Sequence, residues 1–232
     1  MRVIITGASQ GIGYAIAETF AKNGHDMIIT SKTAARLDAS TKALQVAYPN
    51  VSIEAKAFDL SIKSACQEFT TWALRQGSVD ILVNNAGFFL PGNITEESEG
   101  TLEAQLNANL LSAYYVTRGV VSSMIDNHKG HIFNIGSIAG HQAYAQGGSY
   151  SISKFALHGF SQNLRLELKD KGIKVTLVAP GAVYTNSWAG SGVDPKRIME
   201  ANDIAAMIYA ASQMSPQAVV EDIILRPLLG DL

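Results

Sequence analysis

The sequence predicts a single α/β domain, a doubly wound parallel sheet of seven strands with helices on both faces, and three observations carry that reading. Seven short apolar runs, at 3–6, 26–30, 51–57, 79–84, 130–136, 173–179 and 219–226, alternate with six helical patterns near 11–23, 33–47, 61–76, 101–126, 149–171 and 202–214. Such alternation implies right-handed crossovers, which lay a parallel sheet between two helical layers. A glycine-rich turn joins the first run to the first helix. No repeat, low-complexity tract or interdomain linker interrupts the 232 residues, of which 47% are hydrophobic, so one core suffices.

Arg2-Val3-Ile4-Ile5-Thr6 reads as the first strand, and Gly7-Ala8-Ser9-Gln10-Gly11-Ile12-Gly13 as the turn into a helix with Ile12, Ile16, Ala17 and Phe20 in helical spacing. Glycine there permits tight geometry and close approach of a ligand, and the helix N-terminus offers free N–H groups to a phosphate. The second strand ends in Thr30-Ser31-Lys32-Thr33, where Lys32 taken alone would merely begin a solvated helix. After the third comes Phe58-Asp59-Leu60-Ser61, with Asp59 suited to cap the next helix. Cys66, the only cysteine, reads as a small buried apolar residue of that helix. Asn84-Asn85-Ala86-Gly87 closes the fourth strand as a polar turn. The long helix that follows contains Asn107 and Asn109, poor fits by propensity. The fifth strand, His131-Ile132-Phe133-Asn134-Ile135, runs into Gly136-Ser137, and the sixth into Pro180-Gly181-Ala182-Val183-Tyr184-Thr185. The Gly- and Ser-rich stretch from Thr185, with Trp188 inside it, is expected to form a mobile substrate lid near 185–200.

In the helix near 149–171, Tyr150-Ser151-Ile152-Ser153-Lys154 spaces a phenol and an ammonium four residues apart, on one helical face. At an effective dielectric of about 20 and a separation of roughly 5 Å, the lysine charge favours the phenolate by about 3 kcal/mol, enough to lower a phenol by roughly 2 pH units. On that reasoning Tyr150 is a proton donor and acceptor near neutral pH. The same spacing also occurs by chance, as a solvated lysine beside a half-buried tyrosine.

With Thr6 to Gly13 as TGxxxGxG, Asn84 to Gly87 as NNAG and Tyr150 to Lys154 as YxxxK, in that order, the chain resembles the short-chain dehydrogenase/reductase family over residues 1 to about 185. The resemblance implies a Rossmann-type domain and direct hydride transfer between C4 of a nicotinamide ring and a carbonyl or carbinol carbon. By the family's pattern, Gly7, Ser9, Gln10, Gly11, Ile12 and Gly13 form the cofactor loop, and the Asp59-Leu60 pair contacts adenine. Asn85, Ala86 and Gly87 lie along the cofactor, while Pro180, Gly181, Val183 and Thr185 belong to the turn beside the nicotinamide. Catalytic roles fall to four residues. Ser137, thirteen residues before Tyr150, orients the substrate oxygen, and Tyr150 gives or takes its proton. Lys154 lowers the tyrosine pKa and bonds the nicotinamide ribose. Asn109, aligned in preference to Asn107 by the context Ala-Asn-Leu with Thr117 and Met124, holds a water linking Lys154 to solvent.

Cofactor choice is read after the second strand, where a dinucleotide fold preferring NAD places an acid to hold the ribose 2′-hydroxyl. Ser31 and Lys32 stand there instead, with no carboxylate to repel a 2′-phosphate. NADP(H) is therefore expected over NAD(H), although Gln10 occupies a loop where relatives preferring NADP often carry a basic residue. The expected activity is a carbonyl reductase or alcohol dehydrogenase working on a small molecule. A 3-oxoacyl-carrier-protein reductase is the same-class alternative. Against it stands the segment Ile223 to Leu232, where such enzymes usually finish in a glycine-rich stretch. A non-catalytic dinucleotide sensor is the alternative from another class. Pocket candidates are Phe88, Phe89, His141, Tyr144 and Trp188.

A formal charge of −2 gives no electrostatic case for nucleic acid or an anionic membrane, and no apolar run approaches a membrane span. A lone cysteine suits a reducing compartment, so a cytoplasmic protein is expected, with no metal site. The helices near 101–126 and 149–171 hold more apolar positions than one buried face requires, among them Leu110, Leu111, Tyr114, Val120, Phe155, Leu157 and Leu166. They predict self-association, a homotetramer first and a homodimer second.

Overall fold

Seven parallel strands form one sheet in the computed structural model, which describes residues 1–185, 188 and 192–232. In chain order they are β1 (Arg2–Thr6), β2 (Asp26–Thr30), β3 (Ile53–Ala55), β4 (Ile81–Asn84), β5 (Gly130–Ile135), β6 (Ile173–Pro180) and β7 (Asp222–Leu225). The helices are α1 (Gly11–Lys22), α2 (Ala34–Ala47), α3 (Lys63–Arg75), α4 (Thr101–Leu106), α5 (Ser112–Asp126), α6 (Gly148–Leu168) and α7 (Ala201–Ser212). The spatial order β3-β2-β1-β4-β5-β6-β7 reverses direction between β1 and β4. At such a switch point the connections leave toward opposite faces, and a crevice opens beyond the carboxyl ends of the strands.

The central strands read as continuous apolar runs because both of their faces are covered. Val3, Ile5, Met27, Ile29, Val83 and Phe133 pack into one layer with Phe20 of α1, Leu37 of α2 and Ile208 of α7. Their neighbours Ile4, Ile28, Leu82 and Ile132 pack into the other, against Phe69 of α3, Val120 of α5 and Leu168 of α6. Phe20, Phe69 and Phe133 are wholly buried, each such side chain contributing about 1.5–3 kcal/mol. Through the second layer runs a polar seam: Asn84 Nδ2 donates to Thr117 Oγ1 (2.9 Å) and Asn134 Oδ1 (2.8 Å), and Asn134 Nδ2 donates to Ser161 Oγ (2.9 Å). It ties β4, β5, α5 and α6 together directly beneath the crevice.

Element type follows the sequence expectation, and the differences lie at ends and at one helix. The apolar runs at 51–57 and 219–226 yield strands of only three and four residues. Both are edge strands, paired on one side, so their ladders stop before the apolar pattern does. The helix expected over 101–126 is divided by a π-helical turn, Asn107–Leu111. That over 149–171 stops at Leu168 and closes in a 3₁₀ turn, Lys169–Lys171. Asp59 does not cap α3, whose N-cap is Ile62. Its carboxylate instead accepts from Ser61 N (3.1 Å) and Ser61 Oγ (2.6 Å), a tight local turn that satisfies it ahead of the N-cap. Of the lid expected near 185–200, residues 186, 187 and 189–191 lie outside the described residues, and a 3₁₀ turn at Pro195–Arg197 follows them.

Candidate active site

The turn after β1 and the turn after β4 are built as one unit. Thr6 Oγ1 accepts from both Asn85 N and Ala86 N at 2.9 Å, while Asn85 Nδ2 donates to Thr6 O and Gly7 O at 3.0 and 3.1 Å. A side chain on Gly13 would overlap Gly7 O and Asn85 Nδ2, so the first turn of α1 can approach this unit only as glycine. Ser40 of α2 clamps the loop from outside, donating to Ser9 O at 2.7 Å.

These turns floor a cavity of about 900 Å³ at the carboxyl ends of β1, β4, β5 and β6. Gly7, Gln10, Gly11 and Ile12 form its floor, with Asn85 and Gly87 beside them. Ser137, Tyr150 and Lys154 meet on one wall, and Pro180, Gly181, Val183 and Thr185 form another. Phe88, Phe89, Tyr144 and Trp188 also line it, whereas His141 does not and instead packs edge-on against His158, ring centres 4.3 Å apart. Ser9, Gly13 and Ala86 support the floor from behind, and Leu60 lies in the core.

Helix α6 delivers Tyr150 and Lys154 one turn apart, and its start is fixed by Glu97, whose carboxylate accepts from Ser149 N (2.9 Å) and Ser149 Oγ. Lys154 is buried; its Nζ lies 5.6 Å from the centre of the Tyr150 ring and donates to Ile135 O at 2.9 Å. Burial pushes this ammonium down to about 8. The tyrosine corrects the sequence argument. Burial raises its pKa above the ordinary phenol value, and a hydrogen bond with Ser137 pulls it back only in part. Desolvation of the phenolate is the largest cause, and the Lys154 Nζ is drawn to the Ile135 carbonyl. Ser137, at the end of β5, accepts from Ala139 N (3.1 Å) and reaches Pro180 O at 3.5 Å, so it bridges the two strand ends that frame the site.

Asn109 is buried but does not line the cavity. Its Oδ1 accepts from Phe88 N (2.9 Å), and its Nδ2 donates to Phe88 O (3.1 Å) and Ser153 Oγ (3.0 Å). A side chain so engaged holds the segment after Gly87 against α6, from within the π-helical turn. Phe88 and Phe89 are thereby carried over the site, and the Phe89 ring meets Tyr150 edge-on with centres 4.8 Å apart.

At the far end of the cavity the expected phosphate-reading lysine is already paired. Lys32 does not line it; its Nζ pairs with Asp59 Oδ2 at 2.8 Å. Burial alone would raise the Asp59 carboxyl, but hydrogen bonds from Lys32 and Ser61 hold it below the usual range. A cation that does line the cavity beside the glycine loop is Arg36, in the first turn of α2, whose Nη1 donates to Gln10 Oε1 at 3.1 Å. It stands only five positions beyond Ser31, on a helix that no sequence motif marks. Ser31 Oγ is buried and without a hydrogen-bond partner among the described residues. A glycine cradle, an orphaned hydroxyl and an arginine over the same end fit a dinucleotide carrying a phosphate on its adenosine ribose. Arg226 and Asp231, also overlooked, complete the lining beyond Gly181.

Comparison with known proteins agrees with this geometry. The short chain dehydrogenase family model matches residues 1–195. An uncharacterized oxidoreductase of Staphylococcus saprophyticus is 36% identical over 232 residues, spanning 97% of this chain and 96% of its own. Sepiapterin reductase of Chlorobaculum tepidum is 33% identical over 239 residues, spanning 99% of this chain and 97% of its own. Among solved structures, a metagenomic short-chain oxidoreductase in complex with NADP superposes with a TM-score of 0.85 at 30% identity, over 98% of this chain and 96% of its own. Sequence, sheet order and relatives agree: the chain belongs to the short-chain dehydrogenase family and is an oxidoreductase.

Proposed function

We propose that the protein is an NADP(H)-dependent carbonyl reductase. The convergence of Ser137, Tyr150 and Lys154 on one wall of the glycine-floored cavity carries this reading, and the sepiapterin reductase relative and the NADP-bound neighbour support it. A bound nicotinamide supplies the hydride. Ser137 Oγ orients the substrate oxygen, and Tyr150, which its raised pKa keeps protonated at neutral pH, donates the proton. The protonated phenol is the form that carbonyl reduction requires. Lys154, charged below about pH 8, steadies the tyrosinate as the proton leaves. Phe89 packs edge-on against the phenol ring. A panel of aldehydes, ketones and acyl thioesters with NADPH tests the reading: at least one class must oxidise the cofactor, and silence across the panel overturns it.

Ser31 and Arg36 favour NADP(H) over NAD(H). NADPH is expected to bind about 10- to 100-fold more tightly than NADH, the worth of hydrogen bonds to a charged group. Arg36→Ala should remove most of that margin, Ser31→Asp should invert it by repelling the phosphate, and Lys32→Ala should leave it in place because Lys32 serves Asp59. Titration of both cofactors decides, and equal affinities untouched by Arg36→Ala would refute the assignment.

No helix among the described residues is long and apolar enough to cross a membrane. Cys66, buried and pushed up to about 11 by desolvation, has the character of an inert thiol and suits a cytoplasmic setting. For assembly the reading is a homotetramer, with a dimer second. Val120 and Leu157 are consumed within the subunit, but Ile152, Phe155 and Leu166 of α6 are exposed. Sedimentation at micromolar concentration should give a multiple of 24.8 kDa, and a monomer mass would refute assembly through this face.

A further inference from the structure

Arg226 and Asp231 lie beyond β7 and line the same cavity as Ser137 and Tyr150. Arg226 Nη1 donates to Asp231 Oδ2 at 2.8 Å. From the opposite side Arg197 grips the backbone, donating to Gly230 O (2.9 Å), Leu229 O (3.3 Å) and Asp231 O (3.3 Å). A turn closed by Gly230 N on Pro227 O (2.9 Å) completes the fixation. The carboxylate is therefore held by the fold. A Cβ built on Gly181 would lie 3.0 Å from Asp231 Oδ1 and 3.1 Å from Pro227 Cδ, so this segment packs tightly over Gly181 at the wall of the active site. Phe88, Phe89 and Tyr144 give the same cavity an aromatic lining.

We propose that Asp231, oriented by Arg226, reads the polar end of the substrate, which is a carbonyl compound bearing a hydroxyl group. The proposal rests on the carbonyl reductase reading. Oδ2 is occupied by Arg226, which leaves Oδ1, above Gly181, as the acceptor offered to a ligand. The pair is close to neutral as a unit. An ammonium gains little net Coulomb attraction there, whereas a neutral hydroxyl gains a charge-assisted hydrogen bond. Arg226 and Asp231 keep 47% and 35% side-chain exposure in the free chain, so discrimination against an analogue without the hydroxyl arises where bound substrate and cofactor exclude water from Oδ1.

The test uses the full chain loaded with NADP⁺, titrated by ligand-observed NMR with 2-butanone, its 1-, 3- and 4-hydroxy derivatives, and 4-amino-2-butanone. At least one hydroxy derivative should bind about tenfold or more tightly than 2-butanone, in line with a hydrogen bond to a charged acceptor. Asp231→Asn should erase most of that preference. Arg226→Gln, which unmasks the carboxylate, should raise the affinity of the amino ketone, and this variant carries the comparison if Asp231→Asn does not fold. Equal binding of 2-butanone and all three hydroxy ketones overturns the proposal. So does a preference that Asp231→Asn leaves unchanged while NADP⁺ affinity is retained, or an amino ketone that outbinds the hydroxy ketones in the parent protein. NADPH oxidation is measured separately. Hydroxyl preference in binding without turnover of any carbonyl supports Asp231 as the reader and sinks the reductase reading alone.

Discussion

Tyr150→Phe is expected to lower turnover by about 10²–10⁴-fold, the range for loss of a positioned general acid, while leaving NADPH affinity unchanged. The phenyl ring keeps the contact with Phe89 and the volume beside Ser137, so what disappears is the hydroxyl and its proton. The deficit should persist across pH, because no other group on that wall can substitute: Lys154 bonds Ile135 O, and His141 lies outside the cavity. Steady-state kinetics with NADPH titration on the same samples separates the two effects. A variant within a few-fold of the parent would remove Tyr150 from the chemistry.

Lys154→Met is expected to abolish most of the activity and also to change how stability depends on pH. The lysine is pushed by burial from 10.5 down to about 8, so its folded pKa lies below its unfolded one. Between those values the unfolded chain binds more protons than the native state, and stability rises with pH across that window. Below about pH 8 both states are protonated, and the buried ammonium costs about 3 kcal/mol in full. Methionine keeps the apolar stem without the charge, although it leaves Ile135 O unpaired at a cost of about 1–3 kcal/mol. The two changes nearly cancel at neutral pH. The distinguishing result is therefore the difference curve: from about pH 8 to 10.5 the parent should gain on the variant by about 3 kcal/mol in denaturant titrations. Catalysis moves the other way, and reduction by the parent should decline above about pH 8 as Lys154 loses its charge. A flat difference curve would show that burial is not what shifts this lysine.

The strand, turn and helix at the start of the chain are legible because three independent signals coincide there, an apolar run, spaced glycines and a 3.6-residue apolar period. Tyr150 and Lys154 are legible for a similar reason, since helical spacing alone sets them side by side. The direction of the tyrosine shift is not, because spacing gives the neighbour but not the burial, and here burial wins. The pairing of Lys32 is not legible, because its partner, Asp59, follows β3, and only the sheet order brings the ends of β2 and β3 together. Arg36 was missed for the converse reason: it lies on a helix, and only the packing of α2 beside the glycine loop turns it toward Gln10. The two asparagines in the predicted helix over 101–126 did mark a departure from α geometry, but nothing local says that the departure is a π turn clamped to Phe88. Arg226 and Asp231 lie some 75 residues or more beyond Tyr150, and no motif connects them to it.

Hydride transfer assisted by Tyr150 is the central claim, and following deuterium from the cofactor into product tests it most directly. NADPH bearing deuterium on both C4 positions is incubated with a ketone that the protein consumes, and the alcohol is isolated. The account predicts one deuterium on the carbinol carbon, none on the hydroxyl after exchange with water, and little labelled product from Tyr150→Phe. Cofactor oxidation that leaves the alcohol unlabelled, or full labelling by Tyr150→Phe at the parental rate, would contradict it.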